Sequence, residues 1–354
     1  MIGMYDRILG AFLGNAVGDA MGAPTETRPT YLIKEDIGDG GYVFDFMKPL
    51  DDTLAAGMEK GMVTDDFSLS YVTAKHILEK GGVTREACVD ALAEWIRDYK
   101  VYYEKHAGPT TRDAVARVLG EEKQLFLGQL YSVDSDDSSV FTVCNNGEAT
   151  NGAAMKAWVA GIFSRGNIDI AIDNAIVIGR VTHENAVALA GAGAVGAAVA
   201  AAMGGADLAG IVDAGIYGAH EGLRRSWDML AQKSAGASVE ERIKLAVAAG
   251  MKYSNDFDAC IAEMADVIGT GLLANEAVPA AFGFAVAAKG DPMKAIHMAV
   301  NAGNDTDTVA AIAGAICGAF RGTASFPAEY LLFLSEVNAM DIEGIAKQTY
   351  EFLI

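Results

Sequence analysis

The run AVALAGAGAVGAAVAAAMGGA, beginning at Ala186, restricts the fold more than any other stretch. It is almost long enough to span a bilayer. Its residues are mostly Ala and Gly, which are weakly hydrophobic and suited to close helix packing, so it is read as a buried core helix. A second small-residue series points the same way. Gly10, Gly14, Gly18 and Gly22 recur every four residues and make one smooth face of an N-terminal helix, against which another helix or a ligand can lie.

Helical patterns dominate the rest. SLSYVTAKHILEKGG has apolar residues at helical spacing and a stop at Gly81-Gly82. TREACVDALAEWIRDYKVYY opens on Thr84 as cap, with Glu86 in its first turn. SVEERIKLAVAAGMKY opens on Ser238 with Glu241 three residues on, a capping box. No series of alternating strands is present, and only YVFDFM suggests a short extended piece. The expectation is an all-α fold. With no linker rich in Pro, Gly and Ser, and no fixed-period repeat, residues 1–354 are read as a single domain. The polar stretch from Gln124 to Ala149 is the longest interruption, and long loops often carry function.

The formal net charge of −20 repels nucleic acid and anionic membrane, so neither is expected as a partner. Cys88, Cys144, Cys260 and Cys317 are widely spaced and signal neither a zinc site nor a disulfide framework. They read as free thiols in a reducing cytoplasm. Asp6 and Arg7 interrupt the apolar N-terminal stretch, which therefore does not read as a signal peptide. Oligomeric state is left open.

Chemistry concentrates in two acidic clusters. Asp305-Thr306-Asp307-Thr308 stands directly before the apolar run VAAIAGAICGAF. In an extended segment Asp305 and Asp307 point the same way, with Thr308 beginning the helix. Carboxylates held close repel unless a cation intervenes, and oxygen-only ligands suit Mg²⁺, Mn²⁺ or Ca²⁺. Thr64-Asp65-Asp66 repeats this composition at the start of another apolar helix. If the two helix starts meet, they make an oxygen-lined site for two metals. Each cluster alone also reads as a helix start with dipole-favoured acids. Asp51-Asp52-Thr53 lacks a following helix and reads as a loop. Asp19 lies at the unfavourable end of its helix and calls for a specific partner, and Pro24 leaves Glu26 on the loop beyond.

Taken in order, GxxxGxAxGDAxGxPxE (Gly10 to Glu26), Thr64-Asp65-Asp66, AGPTTRDAV (from Ala107), TNGAAMK (from Thr150), VTHENAVALAGA (from Val181), NEAVPAAFGFAV (from Asn275) and Asp305-x-Asp307-Thr308 resemble the ADP-ribosylglycohydrolases over nearly the whole chain. The resemblance implies an all-α fold with two Mg²⁺ or Mn²⁺ ions in a central cleft, held by Thr64, Asp65, Asp66, Asp305, Asp307 and Thr308. It implies that Glu26 and Asp305 serve catalysis, Glu26 by activating water or handling the leaving-group proton. It implies that Asn151, Gly152 and Ala153 cradle a diphosphate and that His183 lies near the ligand. The implied activity is hydrolysis at C1″ of a small-molecule or protein-linked ADP-ribosyl conjugate. Alternatives on the same scaffold are hydrolysis of a smaller ribosyl compound such as a nucleoside, or ligand binding without catalysis. Three residues depart from the family pattern. Phe67 stands where Thr is common, Lys156 where Arg is common, and Asn304 replaces a Gly, which makes Asn304 a candidate for substrate choice.

Overall fold

In the computed structural model, residues 2–37, 41–119, 149–229 and 236–354 are described. The polar stretch from Gln124, except Ala149, lies outside them, as does Cys144. Among the described residues the α-helices are α1 (Met4–Gly22), α2 (Thr30–Asp36), α3 (Asp65–Lys80), α4 (Arg85–Asp98), α5 (Lys100–His106), α6 (Pro109–Leu119), α7 (Trp158–Phe163), α8 (Ile168–Arg180), α9 (Ala186–Met203), α10 (Leu208–Met229), α11 (Val239–Lys252), α12 (Phe257–Glu263), α13 (Ala274–Ala287), α14 (Pro292–Ala299), α15 (Thr306–Arg321), α16 (Tyr330–Asn338) and α17 (Ile342–Leu353). The all-α expectation holds. Within the described residues there is no strand, only an isolated antiparallel bridge between Thr150 and Leu273. YVFDFM finds no strand partner. The backbone N–H and C=O of Val43 pair instead with the side-chain amide of Asn301.

α9 is the Ala/Gly run, and it is buried on every side although its length and apolarity would let it cross a membrane. Small residues explain how a helix can be surrounded. Added Cβ atoms at Gly193 and Gly218 would each overlap the carbonyl oxygen of the other glycine, so α9 and α10 touch backbone to backbone. The N-terminal glycine series does the same work against α15. Cβ atoms at Gly10, Gly14 and Gly18 would run into the backbone of Gly318, Gly314 and Ala310, and one at Gly22 would meet the Asp307 backbone. The two helices are therefore antiparallel, and the C-terminal end of α1 is delivered to the acidic N-terminal end of α15.

The expected N-caps form, although the capping box at Ser238 is only half made, since the Glu241 carboxylate pairs with Lys244 and not with the Ser238 N–H. Thr84 accepts from the N–H of Ala87 at 3.1 Å and Ser238 from that of Glu241 at 3.3 Å. α3 starts behind Thr64 and ends at Gly81, whose φ of 76° is the left-handed stop that glycine favours. Two boundaries differ. TREACVDALAEWIRDYKVYY is not one helix, because it breaks at Tyr99 into α4 and α5. α15 starts at Thr306, not Thr308, because Asp305 takes the N-cap position and the Thr306 hydroxyl donates to the carbonyl of Gly22 at 2.9 Å. Asp305 and Asp307 thus converge across a helix start, not along an extended segment.

Candidate metal centre

Backbone hydrogen bonds bring separate loops to one place. Thr27 N–H donates to Asn304 C=O at 2.6 Å, and Asn304 N–H donates to Arg28 C=O at 2.8 Å. Asp305 N–H donates to Thr270 C=O at 3.0 Å, and Asn151 N–H to Leu272 C=O at 2.9 Å. The segments carrying Glu26, Asn151, Leu272 and Asp305 are therefore fastened together before any side chain is considered.

The two acidic clusters meet, as their shared composition suggested. Thr308 Oγ1 donates to Asp66 Oδ1 at 3.2 Å, a pair 242 positions apart, and Thr64 Oγ1 lies 3.5 Å from Asp307 Oδ2. Carboxylate oxygens of Asp19, Asp66 and Asp307 all lie within 4.8 Å of one another, and so do those of Glu26, Asp305 and Asp307. Asp307 belongs to both groups. Asn151 Nδ2 donates to Asp305 Oδ2 at 2.5 Å. Glu26 Oε2 and Asp66 Oδ2 are shut away from solvent without a protein partner. Asp65 is half-buried and lines the same cleft, but it stands outside both triads.

Burial pushes Asp19 up to about 7 and Asp65 up to about 8. It also lifts Glu26, Asp66 and Asp307 well above the usual carboxylate range, and repulsion between neighbouring acids adds to the rise. Asp19 is held back by the backbone N–H groups of Phe67 and Thr64, and Asp65 by its own backbone N–H and then by the positive charge of Lys156. Crowded acids with orphaned, buried oxygens are costly as they stand. Hard divalent cations would remove both the repulsion and the orphaned acceptors, and the donors are all oxygens, so the residues fit such ions. The enclosed part of the cleft is about 50 Å³, room for a few ions or waters.

Glu26, Asp65, Asp305, Asp307 and Thr308 line this cleft together with Asn151, Gly152 and His183. Thr64 and Asp66 sit just behind it, both buried. Asn151 has its N–H committed to Leu272 and presents its side chain to Asp305. Gly152 lies against the His183 ring, where an added Cβ would come within 2.7 Å of Cε1. Ala153 is buried outside the lining. Asn304 also stands outside it, exposed, next to Gly271. Its φ of 65° accounts for the departure from the family pattern, because Asn is the residue after Gly that best tolerates this conformation. Phe67 is buried, with its N–H on Asp19 and its ring 6.1 Å from Tyr71. Asp52, in the loop Asp51-Asp52-Thr53, pairs with Arg28 and stands outside the cleft lining.

Sequence reasoning left out Asp19 as a site residue. The unfavourable place of this acid at the end of α1 does signal a partner: its carboxylate accepts from Thr64 N–H at 2.8 and 3.0 Å and from Phe67 N–H at 2.8 Å. His106, Thr150, Met155 and Leu272 also line the cleft. Thr150 and Met155 belong to the TNGAAMK stretch, whereas no local pattern marks His106 and Leu272, which only the packing of distant segments brings there.

Comparison with known proteins agrees with this geometry. Residues 2–353 match the ADP-ribosylglycohydrolase family. The chain is 27% identical over 344 residues to the uncharacterized protein YegU of Escherichia coli K12, covering 96% of this chain and 95% of that protein. It is 28% identical over 353 residues to an uncharacterized protein of Archaeoglobus fulgidus, covering 98% and 97%. Over 188 residues it is 26% identical to the ADP-ribosyl-[dinitrogen reductase] glycohydrolase of Rhodospirillum rubrum, covering 51% and 53%. A solved structure titled ADP-ribosylglycohydrolase-related protein complex shares the fold, with a TM-score of 0.66 at 22% identity over 99% of each chain. A match from end to end, with both acidic clusters joined at one cleft, makes this chain a member of the ADP-ribosylglycohydrolase family.

Proposed function

We propose that this chain hydrolyses a ribosyl N- or O-glycosidic bond at C1″ of an ADP-ribosyl conjugate, on a protein side chain or a small molecule, with two divalent cations, Mg²⁺ or Mn²⁺. The observation that carries the reading is the sharing of Asp307 between two carboxylate triads, one of which includes Glu26 with its orphaned Oε2. The similarity to the Rhodospirillum rubrum glycohydrolase supports the choice of bond.

The residues that would hold the cations are Thr64, Asp65, Asp66, Asp305, Asp307 and Thr308, with Asp19 holding the N–H groups of Thr64 and Phe67 on either side of the two acids. When bound, such cations supply positive charge that orients ribose hydroxyls and polarises water. Thr308 and Asn151 each hold one carboxylate, Asp66 and Asp305, in a single orientation. Glu26, on the loop after α1, has its carboxyl raised well above the usual carboxylate range by burial and then by Asp305. It can take a proton from the attacking water or give one to the departing nitrogen or oxygen. The balance is one water consumed: oxygen to C1″ and hydrogen to the leaving group.

The test offers ADP-ribosyl-arginine, ADP-ribosyl-serine and a panel of nucleosides to the purified protein with Mg²⁺ or Mn²⁺. Turnover of an ADP-ribosyl conjugate is expected. Turnover of nucleosides alone would move the substrate to a smaller ribosyl compound. No turnover with cation demonstrably bound would favour ligand binding without catalysis. Glu26→Gln should keep cation binding and lose activity, and near-normal rates would remove Glu26 from the chemistry.

A further inference from the structure

A buried hydrogen-bond chain runs from the core to the cleft. Lys156 Nζ donates to Thr182 Oγ1 at 2.6 Å, and Thr182 Oγ1 lies 2.7 Å from His183 Nδ1. His183 Nε2 lies 2.9 Å from Thr150 Oγ1, which lies 2.9 Å from Thr110 Oγ1. All five residues are buried, and Thr150 and His183 also line the cleft.

The chain has a direction. An ammonium group only donates, so Thr182 Oγ1 accepts from Lys156 and has one proton left to place. Its choices are His183 Nδ1 at 2.7 Å and the Gly179 carbonyl at 3.4 Å. The second would leave the hydroxyl proton only the long contact to that carbonyl. The shorter bond therefore takes the proton, Nδ1 accepts, and the imidazole proton sits on Nε2, facing Thr150. Thr150 then accepts from His183 and has its own hydroxyl proton to give, either to Thr110 or to a ligand. Carboxylates that hold a cation are ionised and can only accept, so a donor on the same cleft has a distinct use.

We propose that Lys156 and Thr182 are positioning residues that hold His183 as the neutral Nε2–H tautomer, and that Thr150 is thereby set as a hydrogen-bond donor to an acceptor oxygen of the ligand. This assigns a use to Lys156, the residue that replaces the family's common Arg. It goes beyond the hydrolase reading, and its first test needs no turnover.

That test is long-range ¹H–¹⁵N spectroscopy of the ¹⁵N-histidine-labelled protein, with the His183 signals identified by their loss in His183→Gln. The wild type and Lys156→Arg should show a protonated Nε2 and a bare Nδ1. Lys156→Met should shift the ring towards the Nδ1–H form. An Nδ1–H or doubly protonated ring in the wild type, or an unchanged tautomer in Lys156→Met, would overturn the proposal. Should Lys156→Met fail to fold, Thr182→Val removes the same link and must alter the same signals. With ADP-ribose as probe, Thr150→Val should weaken binding about three- to tenfold while Thr150→Ser keeps it. Equal affinity in Thr150→Val would sink the donor role.

Discussion

The carboxylate of Asp19, near the end of α1, receives the backbone N–H of Thr64, at the start of α3, on both of its oxygens, at 2.8 and 3.0 Å. A helix that ends at the site thus caps the helix that begins there. One turn later on α1, Gly22 touches the backbone of Asp307. The same rod therefore sets the position of both acidic helix starts.

Asp19→Ala should consequently affect both stability and metal binding. It leaves the N–H groups of Thr64 and Phe67 without a partner in a buried place, a loss of about 2 kcal/mol. Mn²⁺ affinity should fall by about tenfold or more, as orienting groups around a metal site usually require. Denaturant unfolding and Mn²⁺ titration measure the two effects. Asp19→Asn keeps an acceptor and should lose less stability; equal losses in the two variants would contradict the capping role.

The glycine stripe can be tested by one methyl group. Gly14→Ala gains up to about 1 kcal/mol in helix propensity, but its Cβ collides with the carbonyl of Gly314. Backbone cannot swing aside as a side chain does, so overpacking wins and a net loss of about 2 kcal/mol is expected. Gly82→Ala is the control, since nothing lies within 4 Å of a Cβ there, and it should change stability by less than about 0.5 kcal/mol. Thermal melts of both variants decide the matter.

Removing cations should make the protein sensitive to alkali. Burial lifts Asp19 to about 7 and Asp65 to about 8, far above the value near 3.9 expected for an unfolded Asp. The folded state thus binds these protons more tightly than the unfolded chain does. That stabilisation is complete below about pH 4 and is lost as pH rises through about 7 to 8. Cations reverse the trend by favouring the ionised acids. The difference in Tm between Mg²⁺-loaded and chelator-treated protein should widen from pH 5 to pH 8 by at least about 5 °C. A constant difference would show that these acids do not hold the cation.

At Asn304 the backbone, with φ at 65°, should govern which residues are tolerated. Asn304→Gly should fold with stability within about 0.5 kcal/mol of the parent. Asn304→Val should lose about 2 kcal/mol, since a β-branched side chain is strained in the left-handed region. Because the side chain stands outside the cleft lining, Asn304→Gly should leave relative rates on different conjugates unchanged; a shift in preference would restore a substrate role.

Much of this was readable from residue order. Helical periodicity, capping residues and Ala/Gly density define α1, α3, α9 and α15, because each depends on contacts within a few residues. The matching composition of Thr64-Asp65-Asp66 and Asp305-x-Asp307-Thr308 was enough to pair two segments far apart in sequence. It was less informative about geometry. The start of α15 at Thr306 depends on the Thr306 hydroxyl reaching Gly22, a residue of another helix.

What the sequence determined by itself was the kind of helix each stretch makes and the presence of an oxygen-rich site, since both are fixed by local spacing and side-chain chemistry. The tertiary structure decided which acids share that site. It brought Asp19 into a triad and left Asp65 outside both. The reason is the approach of α1 to α15: glycines permit close contact along one face, but only the packed backbone determines where along that face the carboxylates meet.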